Sequence, residues 1–134
     1  VIIMEQKYIL NLESAKRVAA AAEQEATNNG WKVVIAIVDD GGNLMYLQRE
    51  KVQLGSIDVA IKKAEVALNF RRPTKFWEDM VASGRQGYLA MPGMLPLEGG
   101  LPIIYKNEVI GAIGISGVKS DEDGIIARAG IAAL

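Results

Sequence analysis

Two pairs of short apolar segments, each pair joined by a tight turn, constrain the fold of this chain most. In chain order the two strand–turn–strand units are Trp31–Val38, Asp39–Asn43 and Leu44–Arg49, and then Leu101–Tyr105, Lys106–Asn107 and Glu108–Ser116. Segments rich in β-branched residues that flank Asp-, Asn- and Gly-containing turns predict β-hairpins. Hairpins without βαβ alternation indicate an antiparallel sheet with helices packed against it.

Helical patterns precede, separate and follow the two hairpins. The predicted helices are Asn11–Asn29, Ser56–Phe70, a short one from Pro73 through Val81, and one from about Asp121 to the C-terminus, with Asn11, Ser56 and Ser120 as N-caps. The order is α, ββ, α, α, ββ, α, with an extra strand expected around Met94–Glu98. The sequence therefore predicts an α+β protein, and residues 1–134 are expected to form one domain because no linker or repeat interrupts them.

The absence of cysteine and histidine from the 134 residues excludes many kinds of site. Disulfides, thiolate nucleophiles, imidazole bases and ordinary zinc, copper or iron–sulfur centres all need those residues, so no metal site is expected. A net charge of −1 argues against nucleic acid and anionic membranes as partners. The apolar start, Val1–Met4, is too short for a signal or a membrane helix, so a cytoplasmic location is expected.

Glycines are concentrated in the second half of the chain, and they suggest two different roles. Gly111, Gly114 and Gly117 recur every three residues inside a predicted strand. They lack the Lys-Ser/Thr of a phosphate loop, which favours a bulge or the close approach of another backbone. Gly99 and Gly100 lie in a loop, where their exposed N–H groups either form a simple turn or cradle a carboxylate.

Three charged residues are candidates for chemistry, and each also has an ordinary structural interpretation. Asp39 ends a strand next to Asp40, which fits turn formation better than a carboxylate pair. Arg49 is either a solvated strand end or a bidentate carboxylate ligand. Lys63 borders the apolar stripe of the second helix. Snorkelling to solvent is the simpler expectation, and a desolvated base or imine former is the alternative.

The longest irregular stretch, from Arg85 to Gly100, is rich in Met, Leu and Pro. Long apolar loops in compact proteins are typically functional or packed against something. Methionine suits an adaptable pocket or a subunit interface, and both are favoured here over core filling alone.

Several of these segments together resemble the GlcG/HbpS family, which includes the C-terminal domain of PduO-type proteins. The segments that carry the resemblance are Val34–Asp39 with Gly42, Arg49, Ser56–Ala60, Lys63–Ala64, Gly99–Ile103, Val109–Gly117, Asp123 and Ala129–Gly130. The resemblance implies a profilin-like α/β/α fold with a five-stranded antiparallel sheet. It also implies homo-oligomers, from dimers to octamers, and some relatives bind haem.

The chain departs from this family in ways that bear on its ligand. Haem ligation through histidine or cysteine is impossible here, and Lys51 stands where relatives often carry an acid. We therefore expect an oligomeric protein that binds a small organic acid or, less well, haem without histidine ligation. The expected ligand-binding residues are Arg49, Gly99, Gly100, Pro102 and Ser116. The alternatives are an enzyme on a small organic acid, with Lys63 or Asp39 as base, and a structural or regulatory partner protein.

Overall fold

The computed structural model describes all 134 residues, which form four α-helices, one 3₁₀ helix and four β-strands. The elements are α1 (Leu12–Asn28), β1 (Val34–Asp39), β2 (Leu44–Arg49), α2 (Gly55–Phe70), α3 (Thr74–Ala82), the 3₁₀ helix (Gln86–Ala90), β3 (Gly100–Tyr105), β4 (Glu108–Ser116) and α4 (Ser120–Ile131). This order confirms the one predicted from the sequence. None of the helices is both long enough and apolar enough to cross a bilayer.

The four strands form one antiparallel sheet in the order β2-β1-β4-β3, and both predicted hairpins are confirmed. In the second hairpin, Lys106 and Asn107 have φ values of 48° and 65°. Two successive left-handed residues are what a two-residue hairpin turn needs to follow the twist of its strands. The two central strands, β1 and β4, come from different hairpins, so this one pairing brings the two halves of the chain together.

The expectation of a fifth strand is wrong, because residues 94–99 form no strand. Pro92 and Pro96 have no N–H to contribute to a ladder, which disfavours pairing through this segment. The segment is held by a side chain instead, since the Glu98 N–H donates to the Glu78 carboxylate at 3.1 Å. The sheet therefore ends at β3, and the stretch before β3 is free to form a pocket wall.

Helices cover both faces of the sheet and make three layers. On one face, Ile35, Ile37, Ile113 and Ile115 pack against residues of α1 and α4. On the other face, the small and β-branched residues of β1 and β4 pack against Ala60, Ala64, Ala67 and Leu68 of α2. The alternation along β1 follows from the two-residue period of a strand, which sends successive side chains to opposite layers.

The close approach predicted for Gly111 and Gly114 is confirmed, and Gly100, which was predicted to lie in a loop, instead begins β3 and shows the same close approach. A Cβ atom on Gly114 would overlap the Ala60 carbonyl oxygen, and one on Gly100 would overlap the Lys63 carbonyl oxygen. A Cβ on Gly111 would similarly lie against the Val38 carbonyl. Because glycine has no Cβ, α2 can lie directly on the backbones of β3 and β4. This contact fixes the height of α2, and of Lys63 on it, above the sheet.

The helix starts agree only in part with the predicted caps. Asn11 is confirmed as the N-cap of α1, with its side-chain oxygen accepting a backbone N–H at 2.8 Å. Helix α2 begins one residue before Ser56, with Leu54 in the N-cap position. Ser120 is not the N-cap of α4, since that position belongs to Lys119. The Lys119 N–H donates to Glu122, so a side chain from inside the helix satisfies the first amide.

Candidate functional site

A buried ion pair between α2 and α4 is the most unusual polar feature of the molecule. The Lys63 Nζ atom lies 3.0 Å from the Asp123 Oδ2 atom, and only 2% of each side chain is exposed. The same ammonium group donates to the Ile115 carbonyl oxygen at 2.9 Å. The predicted lysine therefore does not reach solvent, and two oxygen atoms of the protein hold its charged end.

The Asp123 carboxylate is held on both of its oxygens. Oδ2 faces Lys63, and Oδ1 accepts a hydrogen bond from the Val118 N–H at 3.3 Å. Burial raises the pKa of Asp123 from its ordinary value of 3.8 to about 6, and the nearby Lys63 charge offsets only part of this effect. Removing a carboxylate from water disfavours its charged form, so this group titrates close to neutral pH.

Gly99 separates this ion pair from the protein surface. Its φ of +131° is one that side-chain-bearing residues rarely adopt. A Cβ atom on it would lie 2.8 Å from the Ile115 oxygen, 2.9 Å from Lys63 Nζ and 3.0 Å from Asp123 Cβ. Glycine is therefore required here both for its conformation and for space. The loop forms a thin lid of backbone over the ion pair.

Gly100 is anchored by a threonine that the sequence analysis missed. The Gly100 N–H donates to Thr74 Oγ1 at 2.9 Å, and the Thr74 hydroxyl lies 3.4 Å from the Gly100 carbonyl oxygen. Thr74 is fully buried at the start of α3. Of the two loop amides predicted to face a ligand, the one on Gly100 is thus already bonded. The one on Gly99 donates to no acceptor in the chain.

A pocket of about 170 Å³ opens on the outer side of this loop, and we call it the Gly99 pocket. It is lined by Pro73, Lys75, Glu98, Gly99, Gly100, Leu101, Gly124 and Arg128. Arg128 Nη1 lies 3.2 Å from Glu98 Oε2, and Lys75 Nζ lies 3.1 Å from Asp79 on its own helix. The pocket therefore combines two cations and one buried carboxylate, and its wall includes Gly99, whose N–H has no acceptor in the chain.

Glu98 and Gly124 fit each other closely within this pocket. Only 8% of the Glu98 side chain is exposed. A Cβ atom on Gly124 would overlap the Glu98 carboxylate, so the glycine in α4 makes room for it. The carboxylate lies near the first turns of α4, where the positive end of the helix dipole favours a negative charge. On this side the pocket therefore already holds a negative charge, that of Glu98.

The structure does not bring Asp39 and Arg49 to the Gly99 pocket. Asp39 pairs with Gly111, whereas Arg49 pairs with Val34. Asp39 and Val34 are five residues apart on β1, or about 17 Å. Arg49 lies on β2, at the edge of the sheet opposite β3. Within one chain, these two predicted residues therefore lie apart from each other and from the double glycine.

The local surroundings of Asp39 agree with its structural interpretation. Its Oδ1 atom accepts hydrogen bonds from the Gly41 and Asn43 amides, each at 2.9 Å. An aspartate that bonds the amides of the next residues forms an Asx-type turn. The neighbouring Asp40 points elsewhere, forming an ion pair with Lys7 at 2.6 Å. Arg49, in contrast, is exposed and forms no ion pair within the chain.

The remaining predicted residues lie on the two strands of the second hairpin. Pro102 is buried on β3 opposite Ala112, beyond the two glycines. Ser116 ends β4, is 6% exposed and pairs with Val34, on the strand between it and Arg49. Ser116 directly follows Ile115, whose N–H donates to the Gly99 carbonyl oxygen at 2.9 Å, so it lies next to the double glycine. Arg49 is two strands away from Ser116, across β1.

Five residues of the site were not predicted: Thr74, Lys75, Glu98, Asp123 and Arg128. Asp123 belongs to the segments that resemble the family, but its place in the first turn of a helix is also explained by the helix dipole. Glu98 precedes the double glycine, which was the one local signal for it. No group of three or more carboxylates lies close enough together to hold a metal ion.

Comparison with known proteins identifies related sequences across nearly the whole chain. The family described as "Haem degrading protein HbpS-like" matches residues 10–132. Protein GlcG of Escherichia coli strain K12 is 39% identical over 114 residues, which cover 84% of this chain and 85% of the relative. The family match, over residues 10–132, includes both hairpins and the Gly99–Gly100 loop.

Solved structures show the same similarity in three dimensions. HbpS of Streptomyces reticuli, solved as a double mutant, superposes with a TM-score of 0.87 at 34% identity, covering 98% of this chain and 90% of the other. The haem complex of PduOC superposes with a TM-score of 0.84 at 28% identity, covering 95% of this chain and 96% of the other. The shared fold therefore covers at least 90% of each of these chains.

Proposed function

The chain belongs to the GlcG/HbpS family, and we propose that it is a small-ligand-binding protein whose Gly99 pocket takes a small organic acid. The observation that carries this proposal is the lining of the pocket, where Lys75, Arg128 and the free Gly99 amide surround about 170 Å³ of space. A volume below that of a drug-sized ligand site suits an acid of few atoms.

The cations of the pocket are suited to a carboxylate. The Arg128 side chain is 56% exposed, so its guanidinium can turn from Glu98 towards a ligand while remaining close to both. Guanidinium groups bind carboxylates through two parallel hydrogen bonds. The hydrogen bond and charge of Asp79 raise the pKa of Lys75, which keeps this second group cationic.

Glu98 narrows the class of acid. Its buried carboxylate accepts hydrogen bonds and repels a second negative charge placed directly against it. An acid with a hydroxyl group can direct that hydroxyl to Glu98 and its carboxylate to Arg128 and the Gly99 amide. The pocket therefore favours a hydroxy acid over an unsubstituted acid of the same length.

Haem fits the described residues less well. The usual imidazole and thiolate ligands are absent from the sequence. No methionine lines any of the five pockets described, and Tyr8 and Tyr105 are the phenols that face one. The Tyr8 hydroxyl is already bonded to Lys106 at 3.3 Å. As a candidate ligand, we therefore rank haem below a small organic acid.

An enzyme that uses Lys63 or Asp39 as its base is the second proposal, and it has less support. Lys63 is sealed beneath Gly99 with its ammonium group bonded to two oxygens, and Asp39 accepts two turn amides. A base needs hydrogen-bond access to the proton that it removes. Turnover that uses Lys63 would require the Gly99 loop to open.

Calorimetric titration with lactate, propionate and haemin tests the binding proposal. Lactate is expected to bind more tightly than propionate because only lactate offers a hydroxyl to Glu98. Arg128→Gln is expected to weaken lactate binding about tenfold, as the loss of a charge-assisted bond implies. Arg85→Gln, on an exposed arginine outside the described pockets, is the matched control. Failure of both acids to bind, or equal affinity in the two variants, contradicts the proposal.

We also propose that the chain forms a homo-oligomer. Several large apolar side chains on the outer loops are exposed, among them Leu54 at 73% and Leu89 at 52%. Contact between two copies of the chain would remove such side chains from water, which is favourable. Light scattering coupled to gel filtration measures the mass, and Leu54→Glu with Leu89→Glu should lower it if these residues lie in the interface.

A further inference from the structure

A second cleft, of about 230 Å³, lies at the opposite edge of the sheet from the Gly99 pocket. We call it the Trp31 cleft. Its walls are the last turns of α1 and the open end of the β1–β2 hairpin, where β1 begins and β2 ends. Trp31 and Ile35 form its apolar part, Gln48 faces it from β2, and Glu23 and Glu50 stand on its two sides. None of these residues belongs to the organic acid site.

The end of α1 shapes this cleft. Gly30 has a φ of +70°, which reverses the chain directly after the helix. The Trp31 N–H then donates to the Ala26 carbonyl oxygen at 2.9 Å, which ties Trp31 to the end of the helix. The side chain of Trp31 is half-buried and packs on the edge of the main core. The indole of Trp31 thus packs partly against the core and partly borders the cleft.

The electrostatics of the Trp31 cleft favour a cation. Glu23 and Glu50 form no ion pair within the chain. The last turn of α1 has no basic residue, so no charge within the helix offsets the negative end of its dipole. Lys32 is the one cation on the lining, so two carboxylates face one ammonium group.

From this combination we infer that the Trp31 cleft binds a small organic ammonium ion. An aromatic face next to carboxylates is the arrangement that recognises alkylammonium groups. A bare divalent ion is disfavoured, because calcium takes six or more oxygen ligands and the two glutamates lie on separate walls. The volume restricts the ligand to a few heavy atoms around the charged nitrogen.

Choline chloride is a suitable probe, and its neutral isostere 3,3-dimethylbutan-1-ol is the matched ligand control. The chain has two tryptophans, so ¹H–¹⁵N spectra contain two indole signals, and Trp31→Phe assigns the one in the cleft. We expect choline to shift the Trp31 signal saturably and to bind about fivefold or more tightly than the isostere.

Charge removal in the cleft supplies the second control. The double variant Glu23→Gln, Glu50→Gln should weaken choline binding about fivefold. Glu5→Gln with Glu13→Gln makes the same change in net charge at exposed positions outside the Trp31 cleft and should leave the affinity unchanged. No saturable shift with choline, equal binding of the neutral isostere, or equal affinities in the two double variants would each overturn the inference.

Discussion

Lys63 and Asp123 are 60 positions apart in the chain, yet their charged atoms lie 3.0 Å apart in the interior. Lys63 belongs to the helix on one face of the sheet and Asp123 to a helix on the other. The lysine reaches its partner past the end of β4, where it also bonds the Ile115 carbonyl. Gly99 leaves the room for this crossing, so the ion pair, the glycine loop and the pocket above it form one unit.

Removing the charge of Lys63 is expected to destabilise the fold strongly. Lys63→Met leaves Asp123 buried without its cation, and breaking a buried pair from one side costs about 3–5 kcal/mol. The free energy of unfolding from urea titration measures this loss. Lys62→Met is the matched control, because its ion pair with Glu65 is half-exposed and is worth about 1 kcal/mol or less.

The double variant Lys63→Met, Asp123→Asn separates pairing from packing. It removes both charges, while an asparagine oxygen can still accept the Val118 N–H. We expect it to recover part of the stability lost in Lys63→Met, because no uncompensated charge remains buried. A double variant no more stable than Lys63→Met would mean that the lysine stabilises the fold by packing alone.

The stability of the protein should depend on pH through Asp123. In the folded chain the pKa of Asp123 is about 6, and in the unfolded chain an aspartate has a pKa of about 4. Between these values the folded state binds the extra proton. This contribution to stability is therefore fully present below about pH 4 and is lost as the pH rises through 6. It amounts to about 3 kcal/mol.

Carboxyl ¹³C shifts measured against pH report this titration directly. The Asp123 signal should have its midpoint near pH 6, well above those of ordinary surface aspartates. Between pH 4 and 6 the unfolding free energy of the wild type should fall relative to that of Asp123→Asn. A midpoint near or below pH 4 would show that Lys63 and Val118 compensate fully for burial.

Local signals in the sequence predicted the parts of the fold that local chemistry determines. Both hairpins follow from their turn residues, and the N-cap at Asn11 follows from its side chain. The fifth strand came from family resemblance, together with an apolar segment that its prolines keep out of the sheet. In each case the structure that formed depended on which backbone N–H groups could donate a hydrogen bond.

The candidate site was harder to predict because long-range pairing forms it. The sequence indicated Lys63 and the double glycine, which do come together, but not the burial of the lysine or its partner. Asp39 and Arg49 were grouped with them although the sheet register places them at distant points. Register depends on which strands become neighbours, and the pairing of β1 with β4 joins segments more than 70 residues apart.

Gly114, which lies beneath α2, provides a direct test of the close contact between α2 and β4. Gly114→Ala places a methyl group against the Ala60 carbonyl, and α2 must shift to accommodate it. Overpacking of this kind costs about 1–3 kcal/mol, and more where backbone must move. Gly55→Ala is the control, since a Cβ there meets nothing within 4 Å. In the first turn of α2 that change should be neutral or slightly stabilising.

Thr74 should control the shape of the Gly99 pocket without contacting the ligand. Thr74→Val removes the hydroxyl that accepts the buried Gly100 N–H, and an unsatisfied buried donor costs about 1–3 kcal/mol. Thr74→Ser keeps the hydroxyl and loses only a methyl group, so it should retain most of the stability. Because the Gly100 amide anchors the loop, Thr74→Val should also weaken lactate binding, whereas Thr74→Ser should not. Equal affinity in the two variants would show that the loop keeps its shape without this bond, and that β3 alone holds Gly100 in place.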